Sequence, residues 1–356
     1  MTLRVVHVAS GREWRGGQRQ VWLLARALVK HKGISQVVVT GRGSELARRL
    51  AADHIPTETP QWNGALDVRA FAATLRVADR SSILHAHDSH ALTLAGLASF
   101  VTGHSLVATR RVDVPLKRTG FWRRADRIIA VSAAVEKALI GRGMPQDRIT
   151  VVHDGIPIDE VASLSPEDLR PRLGLAPGTP LAITMGALVG VKDHATLVRA
   201  ASIAATRRPD LHWAIAGEGH LRPAVESLIR ELGLQSRVHL LGHVPDGVRL
   251  VAASDLFVMS SIQEGLGTSV LDAMALGVPV VGTSVGGIPE LLADGAGRLV
   301  PPRNPEALAA AVLGVLADPE SRAAQVAKAR EAVRQFSDER MAEGVLRVYR
   351  SLTSAH

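Results

Sequence analysis

Glu264-Gly265-Leu266-Gly267-Thr268-Ser269-Val270-Leu271-Asp272-Ala273-Met274-Ala275-Leu276-Gly277-Val278-Pro279-Val280-Val281 reads as a glycine loop, a helix and the strand that follows it. The apolar run Leu256 to Met259 upstream supplies the preceding strand, and helical spacing starts near Thr268. Strand, loop, helix and strand in this order are the unit from which parallel sheets are wound. A helix starting at such a loop turns its unpaired backbone amides and its positive end toward it, which makes a diphosphate seat of Gly265, Leu266, Gly267, Thr268 and Ser269. Glu264 stands just before that seat, where a carboxylate reaches sugar hydroxyls. Asp272 lies about one turn into the helix, at the distance of a ribose.

The same alternation runs through the chain and predicts an α/β protein with two doubly wound parallel sheets. Strands are expected at Arg4 to Val8, Gln36 to Val39, Ile83 to His87, Ser105 to Ala108, Arg127 to Val131 and Thr150 to Val152, with a helix over Gln18 to Lys30. A second set is expected at Leu181 to Met185, Trp213 to Ala216, Val238 to Leu241, Leu256 to Met259, Pro279 to Gly282 and Arg298 to Val300. Between them, Ile156 to Pro180 carries Pro157, Pro166, Pro171, Pro177 and Pro180 with weak periodicity and reads as an interdomain linker. A last helix over Ser337 to Ser351, with Ser337 as cap and Met341, Val345, Val348 and Leu352 on one face, needs a surface to pack on. The predicted domains are therefore residues 1–158, 159–336 and a terminal helix over 337–356.

The 356 residues exceed what one core usually serves, and 46% hydrophobic residues with 3% aromatics mean that Ala, Val and Leu fill the interior. There is no cysteine, which excludes disulfides and thiolate metal sites and makes the cytoplasm the expected compartment. The opening Met-Thr-Leu-Arg-Val-Val-His-Val is too short an apolar stretch for a signal peptide, and no run of about 18 apolar residues is present. The net charge is +8. Between Arg110 and Arg127, seven basic residues (Arg110, Arg111, Lys117, Arg118, Arg123, Arg124, Arg127) face only Asp113 and Asp126, with Phe121 and Trp122 among them. That mixture suits a solvated face or peripheral contact with an anionic membrane surface, and no nucleic-acid motif accompanies it.

The segment from Glu264 onward resembles glycosyltransferase family 4, whose signature sets a Glu, seven residues and a second Glu in E-G-x-G-x-x-x-x-E-A-M-A-x-G-x-P-V-V; here the second acidic residue is Asp272. Val285-Gly286-Gly287-Ile288-Pro289-Glu290-Leu291 is similar to the family's next block. Gly16-Gly17, His153-Asp154-Gly155-Ile156, Gly186-Ala187-Leu188 with Lys192, Gly217-Glu218-Gly219 and Gly242-His243-Val244-Pro245 follow in the family's order. The resemblance implies a GT-B fold with an acceptor-side and a donor-side domain facing a cleft, and transfer of a sugar from a nucleotide-diphosphate donor with retention of configuration. It implies Glu264 and Lys192 at the reacting sugar and diphosphate, and Gly16, Gly17, Gly186, Gly217, Glu218, His243, Val244 and Asp272 around the donor. The acceptor is a glycan, a lipid-linked or phosphorylated species, or a small molecule. No metal or other cofactor is required.

Two positions depart from the pattern. Ala187 stands where the family has an arginine beside the diphosphate, and Arg111 stands where many members have a histidine. Arginine does not act as a base at neutral pH but binds phosphate strongly, so Arg111 reads as a compensating cation. Ile83-Leu84-His85-Ala86-His87-Asp88-Ser89-His90 ends a strand at the edge where α/β ligands bind; the family carries a similar H-x-H-D/E, and the resemblance implies His87 and Asp88, with Arg110, on the acceptor side. A histidine metal site there is disfavoured, because alternate strand positions do not converge by themselves. A sugar-nucleotide epimerase and a non-catalytic sugar-nucleotide binder remain as alternatives. A nicotinamide dehydrogenase is less well served, since Ser10-Gly11-Arg12-Glu13-Trp14-Arg15-Gly16-Gly17 lacks G-x-G-x-x-G.

Overall fold

A computed structural model describes residues 2–112 and 120–353. β1 (Leu3–Ala9), β2 (Ile34–Thr40), β3 (Thr57–Glu58), β4 (Ile83–Ala86), β5 (Ser105–Arg110), β6 (Arg127–Ala130) and β7 (Ile149–Val151) form one parallel sheet in the order β3-β2-β1-β4-β5-β6-β7. β8 (Leu181–Met185), β9 (His212–Ala216), β10 (Val238–Gly242), β11 (Leu256–Met259), β12 (Val280–Thr283) and β13 (Arg298–Val300) form a second, ordered β10-β9-β8-β11-β12-β13. The strands are runs such as Val5-Val6-His7-Val8-Ala9, buried on both faces by the helices that parallel connections require. In each sheet the order reverses once, between β1 and β4 and between β8 and β11. Loops leaving the carboxyl ends at such switch points are where α/β proteins bind ligands.

The chain divides into two compact units, Met1–Gly155 with Ser337–His356, and Ile156–Phe336. The terminal helix Asp338–Thr353 belongs to the first, where Met341, Val345, Val348, Tyr349 and Leu352 pack against Leu23, Leu24 and Leu28 of the helix Gly16–Val29. Gly155 makes this return possible, since a Cβ there would lie 2.4 Å from the Ser337 carbonyl oxygen. Ser337 caps the helix through Arg340 N–H at 3.1 Å.

Residues 156–180, read above as a linker, are a packed part of the second unit. The buried Arg170 guanidinium donates to the carbonyls of Thr179 (2.7 Å) and Ala253 (2.9 Å) and to Asp255 (2.6 Å). Of the prolines there, Pro157 precedes the helix Ile158–Ala162 and Pro171 opens the short turn Pro171–Leu173. No helix among the described residues is long and apolar enough to cross a membrane.

Candidate active site

In the second unit the switch-point loops bring Lys192 and Glu264 together. Lys192 ends a short helical turn, Gly190–Lys192, that follows β8; the loop after β11 is stitched to it by Ile262 N–H to Val191 O (2.8 Å) and Ser260 Oγ to Lys192 O (2.9 Å). Lys192 Nζ then donates to Glu264 Oε2, and Ser261 Oγ donates to the same oxygen at 3.2 Å. The side chains are 20% and 16% exposed, so the pair is sheltered but reachable.

Glycines hold this arrangement. Gly267 sits at φ +95°, a left-handed conformation, and passes the chain into the helix Thr268–Leu276. Gly286 has φ +53°, and a Cβ on it would lie 1.8 Å from the carbonyl oxygen of Glu264. Gly287 donates its N–H to Gly265 O at 3.0 Å. The second sequence block is therefore the floor on which the Glu264 loop rests. The loops after β8 and β9 also lie against each other: a Cβ on Gly217 would meet Gly186 O at 1.9 Å, and one on Gly219 would meet Leu188 O at 2.3 Å. Gly217 N–H donates to Gly242 O at 2.8 Å, which sets the exposed His243 and half-buried Val244 beside them. Glu218 points to Arg222, 2.5 Å away. Thr268 and Ser269 are half-buried at the helix start. Asp272, read above as the ribose ligand, is 0% exposed, so it does not present its carboxylate at the surface in this conformation.

In the first unit the switch point holds a buried polar network. His7 on β1 and His85 on β4 are register partners. His7 Nδ1 and His87 Nε2 share a hydrogen bond at 2.9 Å, while His85 meets Tyr349 Oη at Nδ1 and Thr109 Oγ1 at Nε2, both at 2.6 Å. Burial holds the His7 imidazole down at about 4 and those of His85 and His87 well below the usual histidine range. Arg111 Nε donates to Asp154 Oδ1 at 3.0 Å, and its Nη1 donates to His87 O at 3.3 Å. Burial pushes the Asp154 carboxyl upward, and the Arg111 guanidinium partly offsets it.

The side chains of the acceptor-side reading are engaged within the protein. His87 and Arg110 are buried, and the Arg110 guanidinium lies over the Trp122 ring at 5.5 Å. Asp88 spends its carboxylate on Ser10 (N–H at 2.7 Å, Oγ at 2.5 Å) and on Ala91 N–H (2.9 Å), capping the helix Ser89–Thr102. The nitrogens of His7, His85 and His87 do lie within 4.8 Å of one another. However, the His85 and His87 rings are only 4.0 Å apart between centroids, and those of His7 and His87 are stacked. The His7 ring centroid lies 5.5 Å from that of His85 and 5.2 Å from that of His87, and the hydrogen bonds above join His7 to His87 and His85 to Tyr349 and Thr109.

Gly17 is the second residue of the helix Gly16–Val29, and a Cβ on it would meet nothing within 4 Å, so close packing does not demand glycine there. Of the basic stretch, Asp113, Lys117 and Arg118 lie outside the described residues. Trp122 is 6% exposed and Phe121 packs on Gly96, so the expected interfacial aromatics face inward. Sequence reasoning missed His7 and Tyr349, and it quoted Asp154 within a motif without giving it a role; alternation marks His7 only as a core position, and nothing local marks Tyr349.

Residues 165–332 match the family described as glycosyl transferases group 1, and residues 14–160 match glycosyltransferase family 4. The chain belongs to glycosyltransferase family 4. This family 4 chain is 30% identical over 282 residues to a D-inositol 3-phosphate glycosyltransferase of Nocardia farcinica, covering 76% of this chain and 62% of that protein. It is 29% identical over 245 residues to the lipopolysaccharide core biosynthesis glycosyltransferase LpsE of Rhizobium meliloti, covering 68% and 69%. The chain spans between 50% and 63% of the length of the D-inositol 3-phosphate glycosyltransferases it matches. Among solved structures, HepE of Anabaena in complex with UDP-glucose superposes with a TM-score of 0.86 at 23% identity, covering 99% of this chain and 100% of that one. Sucrose-phosphate synthase of Thermosynechococcus elongatus gives 0.78 at 20% identity, covering 99% and 100%. The likeness is one of fold: two Rossmann-like units of the GT-B class.

Proposed function

We propose that this chain is a retaining glycosyltransferase that takes a sugar from a nucleotide-diphosphate donor. The carrying observation is the Lys192–Glu264 pair beside a glycine loop that opens onto a helix start. On this reading the amides around Gly267, Thr268 and Ser269, with Lys192, receive the diphosphate as negative charge grows at departure. Glu264 exchanges its lysine contact for sugar hydroxyls, and Gly217, Glu218, His243 and Val244 border the base. The likeness to a UDP-glucose complex supports a uridine donor. Fixed cations serve the leaving group, so turnover should survive chelation of divalent metals. A thermal-shift screen over nucleotide sugars tests the donor half, because a ligand of the native state raises the midpoint. Donor consumption without any acceptor would instead assign an epimerase.

We further propose peripheral contact with an anionic membrane. The helix Ser89–Thr102 carries no Asp, Glu, Lys or Arg and presents Leu97, Phe100 and Val101 on one stripe; Phe100 and Val101 are each 65% exposed. The Arg124 guanidinium lies over the Phe100 ring at 4.7 Å. An apolar stripe rimmed by guanidinium complements an acidic lipid surface. Cosedimentation with vesicles should depend on anionic lipid and weaken with salt, and equal recovery with neutral vesicles would remove the idea.

A further inference from the structure

We propose that a concavity in the first unit, formed by the loops after β1, β2 and β3, is the seat of a phosphate or phosphate ester carried by the acceptor. Naming that ligand an acceptor rests on the transfer reading above. The concavity measures about 300 Å³ and is lined by Arg12, Gly41, Arg42, Gln61, Trp62 and Asn63. All three segments leave the carboxyl ends of their strands, the edge at which α/β sheets meet ligands.

Its polar lining consists of donors. Arg12 Nη2 donates to Trp62 O at 2.7 Å and to Asn63 Oδ1 at 2.6 Å. Arg69 Nη1 donates to Gln61 Oε1. A guanidinium has no acceptor, so each carboxamide turns its oxygen to an arginine and keeps its NH2 group for a ligand. Asp67, on the same loop, spends its carboxylate on the backbone N–H groups of Asn63 (2.8 Å), Arg69 (2.9 Å) and Ala70 (3.2 Å). Elsewhere in this unit Arg15, Arg48, Arg49 and Arg76 pair with Glu13, Glu45 and Glu58. Among the described residues, neither Arg12 nor Arg42 has a carboxylate partner.

The seat is also fixed in place. Arg42 N–H donates to Pro60 O at 2.9 Å, Trp62 is buried, and its indole N–H donates to Gly64 O at 2.8 Å. Two guanidinium forks with two carboxamide NH2 groups, on loops already tied down, match an oxyanion of several acceptor atoms. The volume stands at the small end of ligand pockets, about 300–1,000 Å³.

Calorimetric titration of the full chain with glycerol 3-phosphate, with glycerol as control, tests the assignment. A vesicle arm compares phosphatidylcholine with phosphatidylcholine containing phosphatidic acid. The wild type should bind the phosphate ester and not glycerol. Arg12→Gln with Arg42→Gln should weaken that binding at least tenfold, whereas Lys192→Gln, in the donor unit, should leave it unchanged. Binding confined to phosphatidic acid vesicles and lost in the double variant would also support the seat and name a lipid headgroup as its source. Equal affinity in wild type and double variant, loss in Lys192→Gln alone, or no anion binding below about 10 mM would overturn it. Failure of the donor screen leaves these outcomes readable, so the two readings fall separately.

Discussion

Lys192 and Glu264, 72 residues apart in sequence, share an ion pair beside the glycine loop that opens the helix Thr268–Leu276, and Ser261 Oγ donates to the same carboxylate oxygen. On the function proposed above, the lysine waits for a diphosphate and the carboxylate for a sugar. Lys192→Met should lower donor affinity roughly tenfold or more by removing the fixed cation, measured as the loss of donor-induced thermal shift. An unchanged shift would show that the diphosphate does not use this lysine.

Gly286 is positioned so that any side chain strikes the Glu264 carbonyl. Gly286→Ala should cost about 1–3 kcal/mol of stability and displace the Glu264 loop. Turnover should fall further than the denaturation midpoint alone explains. A fully active, fully stable variant would contradict the role given to the second glycine block.

Tyr349 anchors the terminal helix to the histidine network through His85. Tyr349→Phe leaves a buried imidazole nitrogen without its partner, which costs about 1–3 kcal/mol. Urea denaturation should show the midpoint fall with an unchanged slope.

Arg111 and Asp154 form a pair whose side chains are 13% and 7% exposed. Arg111→Ala leaves a buried carboxylate uncompensated and should destabilise the chain by about 3–5 kcal/mol. Asp154→Asn together with Arg111→Ala should recover part of that loss, as a double-mutant cycle reads directly. Simple additivity would mean that the two do not interact.

His7, held at about 4, and His85 and His87, held well below the usual range, are neutral in the native protein at mild acidity. The unfolded chain protonates its histidines near pH 6.5, so between there and about pH 4 it binds more protons than the native state. Stability therefore rises with pH across that window and is lost on acidification, by about 1.4 kcal/mol per pH unit for each fully titrating histidine. Asp154, raised by burial, works in the opposite sense in the lower part of the window. Thermal midpoints should fall steeply from pH 6.5 to pH 5. A flat profile would mean the histidines are charged or solvated.

The strands were legible because parallel sheets bury both faces, and Leu181–Met185 and Leu256–Met259 stand at the residues the apolar runs mark. Thr57–Glu58 is too short to show a period, and the first helix starts at Gly16 because glycine carries no periodic signal. Trp122, amid arginines, reads as an interface residue, yet a large ring gains more by burial and leaves its flanking Arg124 outside. The motifs name Lys192 and Glu264 separately, and only the fold shows that the two side chains pair. The histidine network was not legible, because His85 and Tyr349 are 264 residues apart and only the return of the terminal helix joins them.

The most direct test is Glu264→Gln, assayed for donor binding by thermal shift and for sugar transfer in the same preparation. The amide keeps the shape of the side chain and loses the charge that orients the sugar. Donor binding within a few-fold of wild type with turnover reduced roughly a hundredfold or more is the expected result. Near-normal turnover would contradict the placing of the reacting sugar at Glu264.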